Sequence, residues 1–354
     1  MPKILIFGTG SLGACYAWVL ANAVGEHNVT AICRSNYDAV ARDGFTIHSG
    51  LWGENLRFRP RVARSVEEAV LQLQQHQQQS DDNDGLFDYV LVASKALPTV
   101  PSTASLIAPA VTPGQTTVVL IQNGIGIEDE YARAFPANPL LSTVAYLPAT
   151  QVRPGVVRHT EVELLHVGAY PATGGEGEGE GRRAANAFAA LLAQGGATAQ
   201  VHADVQRERW VKLLVNAAWN PVCALTRLRD REFLTASERL RLGPEQQEEG
   251  GDGFRFIRDV MLEIASVARA HGYADVGEEL VLFQLRRAAA RGLPGIQPSM
   301  QADALAGRRL EVDAIVGNAV RLAGKKGVPV PMLRTVHLLA NGLSESLSRG
   351  KEMS

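Results

Sequence analysis

The stretch that decides the fold of the N-terminal half is residues 3–13, KILIFGTGSLG. Residues 3–7 are apolar apart from the first, which predicts a strand buried on both faces of a parallel sheet. Three glycines follow at the spacing GxGxxG, and residues 13–23 predict a helix. A strand, a glycine-rich turn and a helix in direct succession predict the start of a β–α–β unit.

The rest of the chain separates into an α/β part and a helical part. Further strands alternate with helical segments, which indicates a parallel α/β sheet, and a more polar, antiparallel set follows. Strand patterns end near residue 204, so we predict an α/β domain over 1–203 and an all-helical domain over 204–354. The predicted strands are 29–33, 89–93, 117–121, 156–160 and 164–168, and the predicted helices are 205–228, 254–271, 277–291, 299–324 and 332–347.

Composition excludes several function classes. The 354 residues are 46% hydrophobic and 20% charged, as in ordinary globular proteins of two domains. A net charge of −2 gives no basic field for nucleic acid or an anionic membrane. No apolar run approaches the roughly 18 residues that span a bilayer. Strand-like sequence begins directly after Met1-Pro2, which leaves no room for a signal peptide, so we expect a cytoplasmic protein.

Cysteine spacing and three polar segments complete this survey. Cys15, Cys33 and Cys223 lack CxxC spacing, so the sequence predicts neither a disulfide framework nor a metal site. Residues 72–85, 174–181 and 245–253 are rich in Gln, Glu, Gly and Asp. They lack the apolar residues that offset ordering entropy, and we predict mobile loop insertions there.

The glycine-rich turn predicts a dinucleotide site. Gly8 permits the tight turn, Gly10 allows a pyrophosphate to approach the backbone, and Gly13 allows close packing of helix on strand. The anion would lie at a helix N-terminus, where free N–H groups favour it. The alternative is a glycine-rich turn that binds nothing. The predicted phosphate-binding residues are Gly8, Thr9, Gly10, Ser11, Leu12 and Gly13.

The residues that follow the other strands predict which dinucleotide binds. An NAD site usually has Asp or Glu after the second strand, but here Arg34-Ser35-Asn36 follows it. A cation there suits a 2′-phosphate, so we predict NADP(H), with a solvated surface Arg34 as the alternative. Lys95 and Asn123 also follow strand ends, where they would contact cofactor or substrate. Each on its own is equally compatible with an exposed lysine or with turn chemistry.

Residues 210–221, WVKLLVNAAWNP, carry polar side chains at intervals of four. Lys212, Asn216 and Asn220 therefore lie on one face of a helix that is otherwise apolar. Unpaired polar groups in a core cost roughly 1–3 kcal/mol each, so this stripe must face a water-filled cleft or buried partners. Pro221 predicts a helix end or kink. In the alternative reading Asn220 is only a cap and the Lys212 side chain only runs along the surface.

A second polar pattern follows at residues 297–313. Pro298 and Ser299 mark a helix start, where N–H groups would meet a substrate carboxylate. Glu311 is twelve residues further, about 18 Å along a continuous helix. We therefore expect Glu311 to serve a different part of the site from Ser299.

Together these motifs resemble the ketopantoate reductases, which reduce 2-dehydropantoate to pantoate with NADPH on the route to coenzyme A. The resemblance covers nearly the whole chain, and the 210–221 and 298–311 motifs are its most specific parts. It implies a Rossmann-type domain followed by a helical domain similar to the C-terminal domain of 6-phosphogluconate dehydrogenase. It also implies a homodimer through the helical domain.

The resemblance implies roles for single residues. Lys212 is similar to the family's general acid, and Glu311 to its acidic companion, which also contacts the cofactor ribose. Hydride arriving on a ketone leaves an alkoxide, which a lysine ammonium can stabilise and protonate. The implied substrate ligands are Asn216, Asn220, Ser299 and Asn123, and the implied cofactor contacts are Lys95, Asn123, Ala149 and Glu311.

One departure leaves the substrate open. Ile296 lies three residues before Ser299, where many family members carry an asparagine that helps to bind substrate. A related reductase of another 2- or 3-keto acid, such as a 3-hydroxyacid dehydrogenase, therefore remains an alternative. A non-catalytic NADP(H) sensor is a second one, against which Lys212 and Glu311 argue, because a sensor needs no proton donor.

Overall fold

The computed structural model describes residues 1–77, 87–172, 179–238 and 251–352. It divides into two compact units. The first comprises Met1–Asn123 and Ile127–Val205, and the second comprises Gly124–Gly126 and Gln206–Ser354.

The first unit contains an eight-stranded sheet whose first six strands, from one edge, run parallel in the order β5-β2-β1-β6-β7-β8. Strand β11 is antiparallel to β8, and β12 is parallel to β11. Chain order reverses at β1, the switch point where doubly wound sheets bind ligands. These strands are β1 (Ile4–Phe7), β2 (Val29–Ile32), β5 (Arg61–Ala63), β6 (Tyr89–Val92), β7 (Thr117–Leu120), β8 (Leu140–Tyr146), β11 (Leu164–Ala169) and β12 (Ala199–Val201).

The first unit also contains helices and a smaller sheet. The smaller sheet has the order β4-β3-β10-β9, with strands β3 (Phe45–Ser49), β4 (Gly53–Phe58), β9 (Ala149–Arg153) and β10 (Val156–His159). The helices are α1 (Ser11–Val24), α2 (Tyr37–Asp43), α3 (Val66–Gln77), α4 (Thr103–Ile107), α5 (Asp129–Ala134) and α6 (Glu180–Gln194).

Strand β1 shows why the N-terminal run is apolar at every position. Ile4 and Ile6 pack in one core of the unit, whereas Leu5 and Phe7 pack in another. Successive side chains of a strand point to opposite faces, so both faces of the sheet are covered. The predicted buried parallel strand is confirmed.

From Gln206 onward, the described residues of the second unit form helices joined by loops, and no strand occurs among them. Its core is lined by the apolar side of α7, including Trp210, Leu214 and Trp219. Burying one leucine side chain contributes roughly 1.5–3 kcal/mol. The helices are α7 (Gln206–Thr226), α8 (Asp230–Ser237), α9 (Asp252–Ala270), α10 (Glu278–Ala289), α11 (Ser299–Leu305), α12 (Asn318–Lys326) and α13 (Pro331–Glu352). The predicted fold class, an α/β part followed by a helical part, is confirmed.

Several local predictions were wrong. The helix predicted over 299–324 is interrupted: α11 ends at Leu305, and a π-helical turn (Asp313–Gly317) precedes α12. Helix α7 continues through Pro221 to Thr226, which confirms the helix predicted over 205–228 and excludes the helix end that Pro221 suggested as an alternative to a kink. Residues 72–77 form the end of α3 rather than a loop.

The structure describes only parts of the three predicted loop insertions. Residues 78–85, 174–178 and 245–250 of the predicted loop insertions lie outside those residues, while helices α6 and α9 begin at Glu180 and Asp252. In the described part of the chain, no helix is long and apolar enough to cross a membrane. The three cysteines are buried free thiols.

Candidate functional site

The glycine-rich turn joins β1 to α1 in a tightly packed conformation. Gly8 has a φ of +97°, and a Cβ there would lie 2.4 Å from the backbone nitrogen of Ser94. A Cβ on Gly13 would lie 2.2 Å from the carbonyl oxygen of Gly8. A Cβ on Gly10 would meet nothing within 4 Å. Two glycines therefore allow close packing, while the third leaves its backbone open beside the N-terminus of α1, as an incoming phosphate requires.

Two buried side chains tie this turn to the loop after β2. The Thr9 hydroxyl donates to the carbonyl oxygen of Ile32 at 2.8 Å, and Asn36 Nδ2 donates to the carbonyl oxygen of Thr9 at 2.9 Å. Asn36 is the residue before α2, yet its side chain does not cap that helix. The two loops predicted to hold a dinucleotide are thereby fixed to each other.

Arg34 lies at the start of the second of these loops. Its side chain is exposed and makes no hydrogen bond or ion pair among the described residues. Asp38, four residues further, is paired with Arg64 at 2.6 Å, and the Arg64 guanidinium lies 3.9 Å from the centre of the Tyr37 ring. A guanidinium is therefore available to an anion here, while the neighbouring carboxylate is already neutralised.

The strand ends of β6 and β7 supply further polar groups. Ser94 follows β6, and its hydroxyl is buried without a hydrogen-bond partner in the described structure. Gln122, after β7, donates to the carbonyl oxygen of Ser94 at 2.8 Å and so connects the two strand ends. Lys95 and Asn123 follow directly along the chain, in the first unit. An orphaned hydroxyl beside the glycine-rich turn fits a polar ligand.

Strand β9 of the small sheet, which begins at Ala149, is attached to the glycine-rich turn. Ala149 is the first residue of β9, opposite His159. Two residues further, the backbone N–H of Gln151 donates to the Ser11 hydroxyl at 2.8 Å. The structure thus uses the Ser11 side chain to attach β9 to the glycine-rich turn.

In the second unit, α7 carries the polar stripe. Burial lowers the pKa of Lys212 to about 8; the positive charge of Arg209 lowers it too, and the Glu311 carboxylate opposes both. Lys212 and Asn216 are half-buried, and Asn220 is buried. A lysine with a pKa near neutrality can hold a proton and release it.

Asn220 brings the start of α11 to α7. Its Oδ1 accepts from the backbone N–H of Met300 at 3.2 Å and from the hydroxyl of Ser299 at 3.4 Å. The structure therefore places two predicted substrate ligands, Asn220 and Ser299, in contact. One of the N–H groups at this helix start, that of Met300, thus binds Asn220 and is not available to a substrate carboxylate.

Glu311 lies in the irregular segment between α11 and the π-helical turn. The expected 18 Å from Ser299 assumed a continuous helix, so that spacing argument fails. Glu311 is buried, and its charge acts on the Lys212 amine. Single π-helical turns occur often at functional sites, because they re-aim side chains within a helix.

Arg209 holds the short segment of the second unit that follows Asn123. Its guanidinium is buried and donates to the carbonyl oxygen of Gly124 at 2.9 Å. Asn318 Nδ2 donates to the carbonyl oxygen of Ile125 at 2.6 Å. The backbone directly after the predicted ligand Asn123 is thereby fixed to two helices.

Two family models match the chain. One, described as ketopantoate reductase PanE/ApbA, matches residues 4–172. The other, described as ketopantoate reductase PanE/ApbA C terminal, matches residues 204–344. The chain belongs to the ketopantoate reductase family.

Three relatives of this ketopantoate reductase family member are matched over almost their whole length. A solved 2-dehydropantoate 2-reductase from Methylococcus capsulatus is 30% identical, with a TM-score of 0.77 and 98% of each chain covered. A 2-dehydropantoate 2-reductase of Halobacterium salinarum is 27% identical over 336 residues, which are 94% of this chain and 96% of that protein. An uncharacterized protein of Saccharomyces cerevisiae is 27% identical over 360 residues, 96% of this chain and 92% of that protein.

The structure also identifies polar residues that the sequence analysis missed. Asn36 is part of the Arg34-Ser35-Asn36 loop, but no feature of the neighbouring sequence indicated that its side chain would bond to Thr9. Arg209 did carry a signal, because it is a charged residue three positions before Lys212 on the same helix. Ser94 adjoins Lys95 and is marked only by its missing partner.

Proposed function

We propose that the protein reduces 2-dehydropantoate to pantoate with NADPH, and that Lys212 donates the proton. The observation that carries the proposal is the half-buried Lys212: burial lowers the pKa of its amine to about 8, and it shares a helix face with Asn216 and Asn220. An amine whose pKa is lowered by burial is costly to a fold, so its presence on the apolar helix α7 favours a catalytic use.

The first unit would hold the cofactor. The open backbone at Gly10 and the N-terminus of α1 suit the pyrophosphate, and the exposed Arg34 suits a 2′-phosphate, which favours NADPH over NADH. Lys95, Asn123 and Ala149 are proposed contacts toward the nicotinamide half. When bound, the nicotinamide supplies the hydride.

The second unit would hold the keto acid and move the proton. The Lys212 ammonium would neutralise the oxygen that becomes an alkoxide and then protonate it. Asn216, Asn220 and Ser299 would bind the substrate's polar groups without adding charge near the lysine. Asn220 Oδ1 already accepts from α11, so its Nδ2, which has no hydrogen bond among the described residues, is the end offered to substrate. Glu311 would keep the amine protonated, since its charge raises the lysine pKa.

The direct test follows NADPH absorbance in the presence of 2-dehydropantoate and a panel of other 2- and 3-keto acids. We expect 2-dehydropantoate to give the largest kcat/KM. Binding of NADPH with no oxidation in the presence of any keto acid would support a non-catalytic sensor instead. The proposed homodimer is tested separately by light scattering of the purified protein.

A second candidate substrate class is favoured by Ile296. Its side chain is 52% exposed although it is apolar, and it lies three residues before Ser299. An apolar group next to polar substrate ligands suits a keto acid with a bulkier apolar chain, and one additional methylene in an apolar pocket is worth about 1–3 kcal/mol.

Replacing Ile296 by Asn distinguishes the two substrate classes. If an apolar keto acid is the substrate, Ile296→Asn should lower kcat/KM for apolar keto acids and leave that for 2-dehydropantoate unchanged or higher. Equal effects on all keto acids would remove Ile296 from substrate selection.

A further inference from the structure

We propose that Asp230 is a positioning residue for substrate binding, because it fixes the loop that delivers Ser299. This loop, residues 290–298, joins α10 to α11 and is called here the substrate loop. The inference rests on the proposed function, in which Ser299 contacts the keto acid.

The contacts of Asp230 reach both ends of the substrate loop. Its side chain is 3% exposed. Oδ1 accepts from the backbone N–H of Ile296 at 2.7 Å, and Oδ2 accepts from the guanidinium of Arg291. The backbone N–H of Asp230 also donates to the carbonyl oxygen of Ile296 at 3.4 Å. One carboxylate at the start of α8 thus holds a loop more than sixty residues away in sequence.

Gly295 shows that the loop is shaped around this carboxylate. It has a φ of +85°, and a Cβ there would lie 2.2 Å from Asp230 Oδ1 and 2.7 Å from the Arg231 Cβ. Only glycine fits so close to the carboxylate and adopts this conformation without strain. The N–H of the next residue, Ile296, is the one that Asp230 accepts.

Within the part of the chain that the structure describes, little else holds the substrate loop. Gly292, Leu293 and Pro294 are exposed, so the burial of apolar side chains contributes little there. From Ile296 the chain needs only two more residues to reach Ser299, which contacts Asn220. The contacts of Asp230 therefore set the direction from which the backbone enters α11, and with it the position of the Ser299 hydroxyl. Supporting contacts of this kind determine how well a ligand-binding side chain is oriented.

Glu263 offers a matched control. It is also a partly buried carboxylate of the second unit, and its two oxygens accept from the backbone N–H groups of Met332 and Leu333 at 3.1 and 2.8 Å. It therefore fixes the start of α13 as Asp230 fixes the substrate loop, but among the described residues it makes no hydrogen bond to a proposed ligand. Asp230→Ala and Glu263→Ala each remove a carboxylate that accepts from a backbone N–H group more than sixty residues away.

The experiment compares Asp230→Ala, Asp230→Asn and Glu263→Ala by Tm, by NADPH Kd, and by kcat and KM for the keto acid that the wild type turns over best. Asp230→Ala should raise KM by about tenfold or more, as loss of a charged hydrogen bond implies, with NADPH Kd unchanged. Asp230→Asn keeps an acceptor for Ile296, so KM should recover part of the way. Glu263→Ala should lower Tm without changing KM. Equal KM changes in Asp230→Ala and Glu263→Ala at similar Tm, or an unchanged KM in Asp230→Ala, would overturn the proposal.

Hydrogen exchange separates this inference from the proposed function. In Asp230→Ala, backbone amides of residues 291–300 should lose protection while those of 331–335 keep it, and Glu263→Ala should show the reverse. This pattern does not depend on turnover, so a wild type inactive on every keto acid would refute the proposed function and leave the loop tie testable. Protection of 291–300 that does not change in Asp230→Ala would refute the proposal that Asp230 holds the substrate loop.

Gly295→Ala is a second variant for the case that Asp230→Ala does not fold. It displaces the substrate loop while Asp230 is retained, and an unchanged KM and exchange pattern in that variant would equally refute the proposal.

Discussion

The glycine-rich turn of the first unit and the Lys212 region of the second unit fix their ligand-binding atoms in different ways. The turn is shaped by its own glycines and tied by neutral groups, the Thr9 hydroxyl and the Asn36 amide, to a loop 23–27 residues away. In the second unit, Asn220 and Ser299 are 79 residues apart, and the tie at Asp230 is ionic. The first arrangement suits binding of a fixed phosphate, while the second places a titratable amine among distant segments. The comparison implies a division of work: changes in the turn should alter cofactor affinity, and changes near Lys212 should alter turnover.

The largest expected effect is on turnover, and it tests the role of Lys212. Lys212→Met keeps an apolar stem on α7 and removes the proton donor. We expect kcat for keto-acid reduction to fall by at least about a hundredfold, as for loss of a general acid. NADPH Kd, measured by fluorescence titration, should not change. Because the pKa of Lys212 is lowered by burial, the charged amine costs stability, so the Tm of the variant at pH 7 should be no lower than that of the wild type. Near-normal turnover would remove Lys212 from the mechanism.

The pH dependence of kcat/KM is a second test of the Lys212 region. With a Lys212 pKa of about 8, the amine is protonated below that pH. The kcat/KM for keto-acid reduction should therefore be constant below about pH 8 and fall above it, roughly tenfold per pH unit. Glu311 raises this pKa, so Glu311→Gln should move the fall to lower pH. A fall that stays in place or moves to higher pH in Glu311→Gln would contradict the proposed pairing.

A smaller effect is expected from a change in the proposed cofactor site of the first unit. Arg34→Ala should weaken NADPH binding by about tenfold or more, the value of a charged hydrogen bond, because the guanidinium would contact the 2′-phosphate. NADH binding and the kcat at saturating NADPH should change little. Arg42→Ala is the matched control, because Arg42 is an exposed arginine of the same unit that pairs with Asp43. Equal losses of affinity for NADPH and NADH in Arg34→Ala would show that Arg34 does not bind the 2′-phosphate.

The two regions also differ in how much of them the sequence predicted. The turn follows in part from local spacing, because Gly13 packs on the Gly8 carbonyl five residues earlier, whereas the contact of Gly8 with Ser94 at the end of β6 forms only in the folded sheet. In the helical unit, the four-residue spacing correctly placed Lys212, Asn216 and Asn220 on one helix. What it could not give is their neighbours: Arg209 and Glu311 act on Lys212 only once the unit is folded.

The interruption after α11 was predictable in part. Gly307 has a φ of +62°, the left-handed conformation with which a glycine commonly ends a helix, and its position shortly after Leu305 was a usable signal. The path beyond it depends on tertiary contacts, such as the N–H of Leu310 donating to the Ser344 hydroxyl at 3.1 Å. A helix pattern read from residues 299–324 alone contains none of this. The ties made by Asn36 and Asp230 were missed for the same reason, since a side chain that bonds a distant backbone leaves no periodic pattern.

The smallest expected effect tests whether the turn needs its tie. Asn36→Ala removes the hydrogen bond to the Thr9 carbonyl but none of the proposed nucleotide contacts. One net hydrogen bond is worth about 1 kcal/mol, so we expect NADPH and NADH Kd values to rise together by roughly three- to tenfold. The parallel rise separates Asn36 from Arg34, which should affect only NADPH. Asn28→Ala is the control, because Asn28 also donates to a backbone carbonyl of this unit, that of Val24, at 2.7 Å. If both asparagine variants lower Tm equally and neither changes nucleotide affinity, the Asn36 contact is only structural, and the turn is held by its glycines alone.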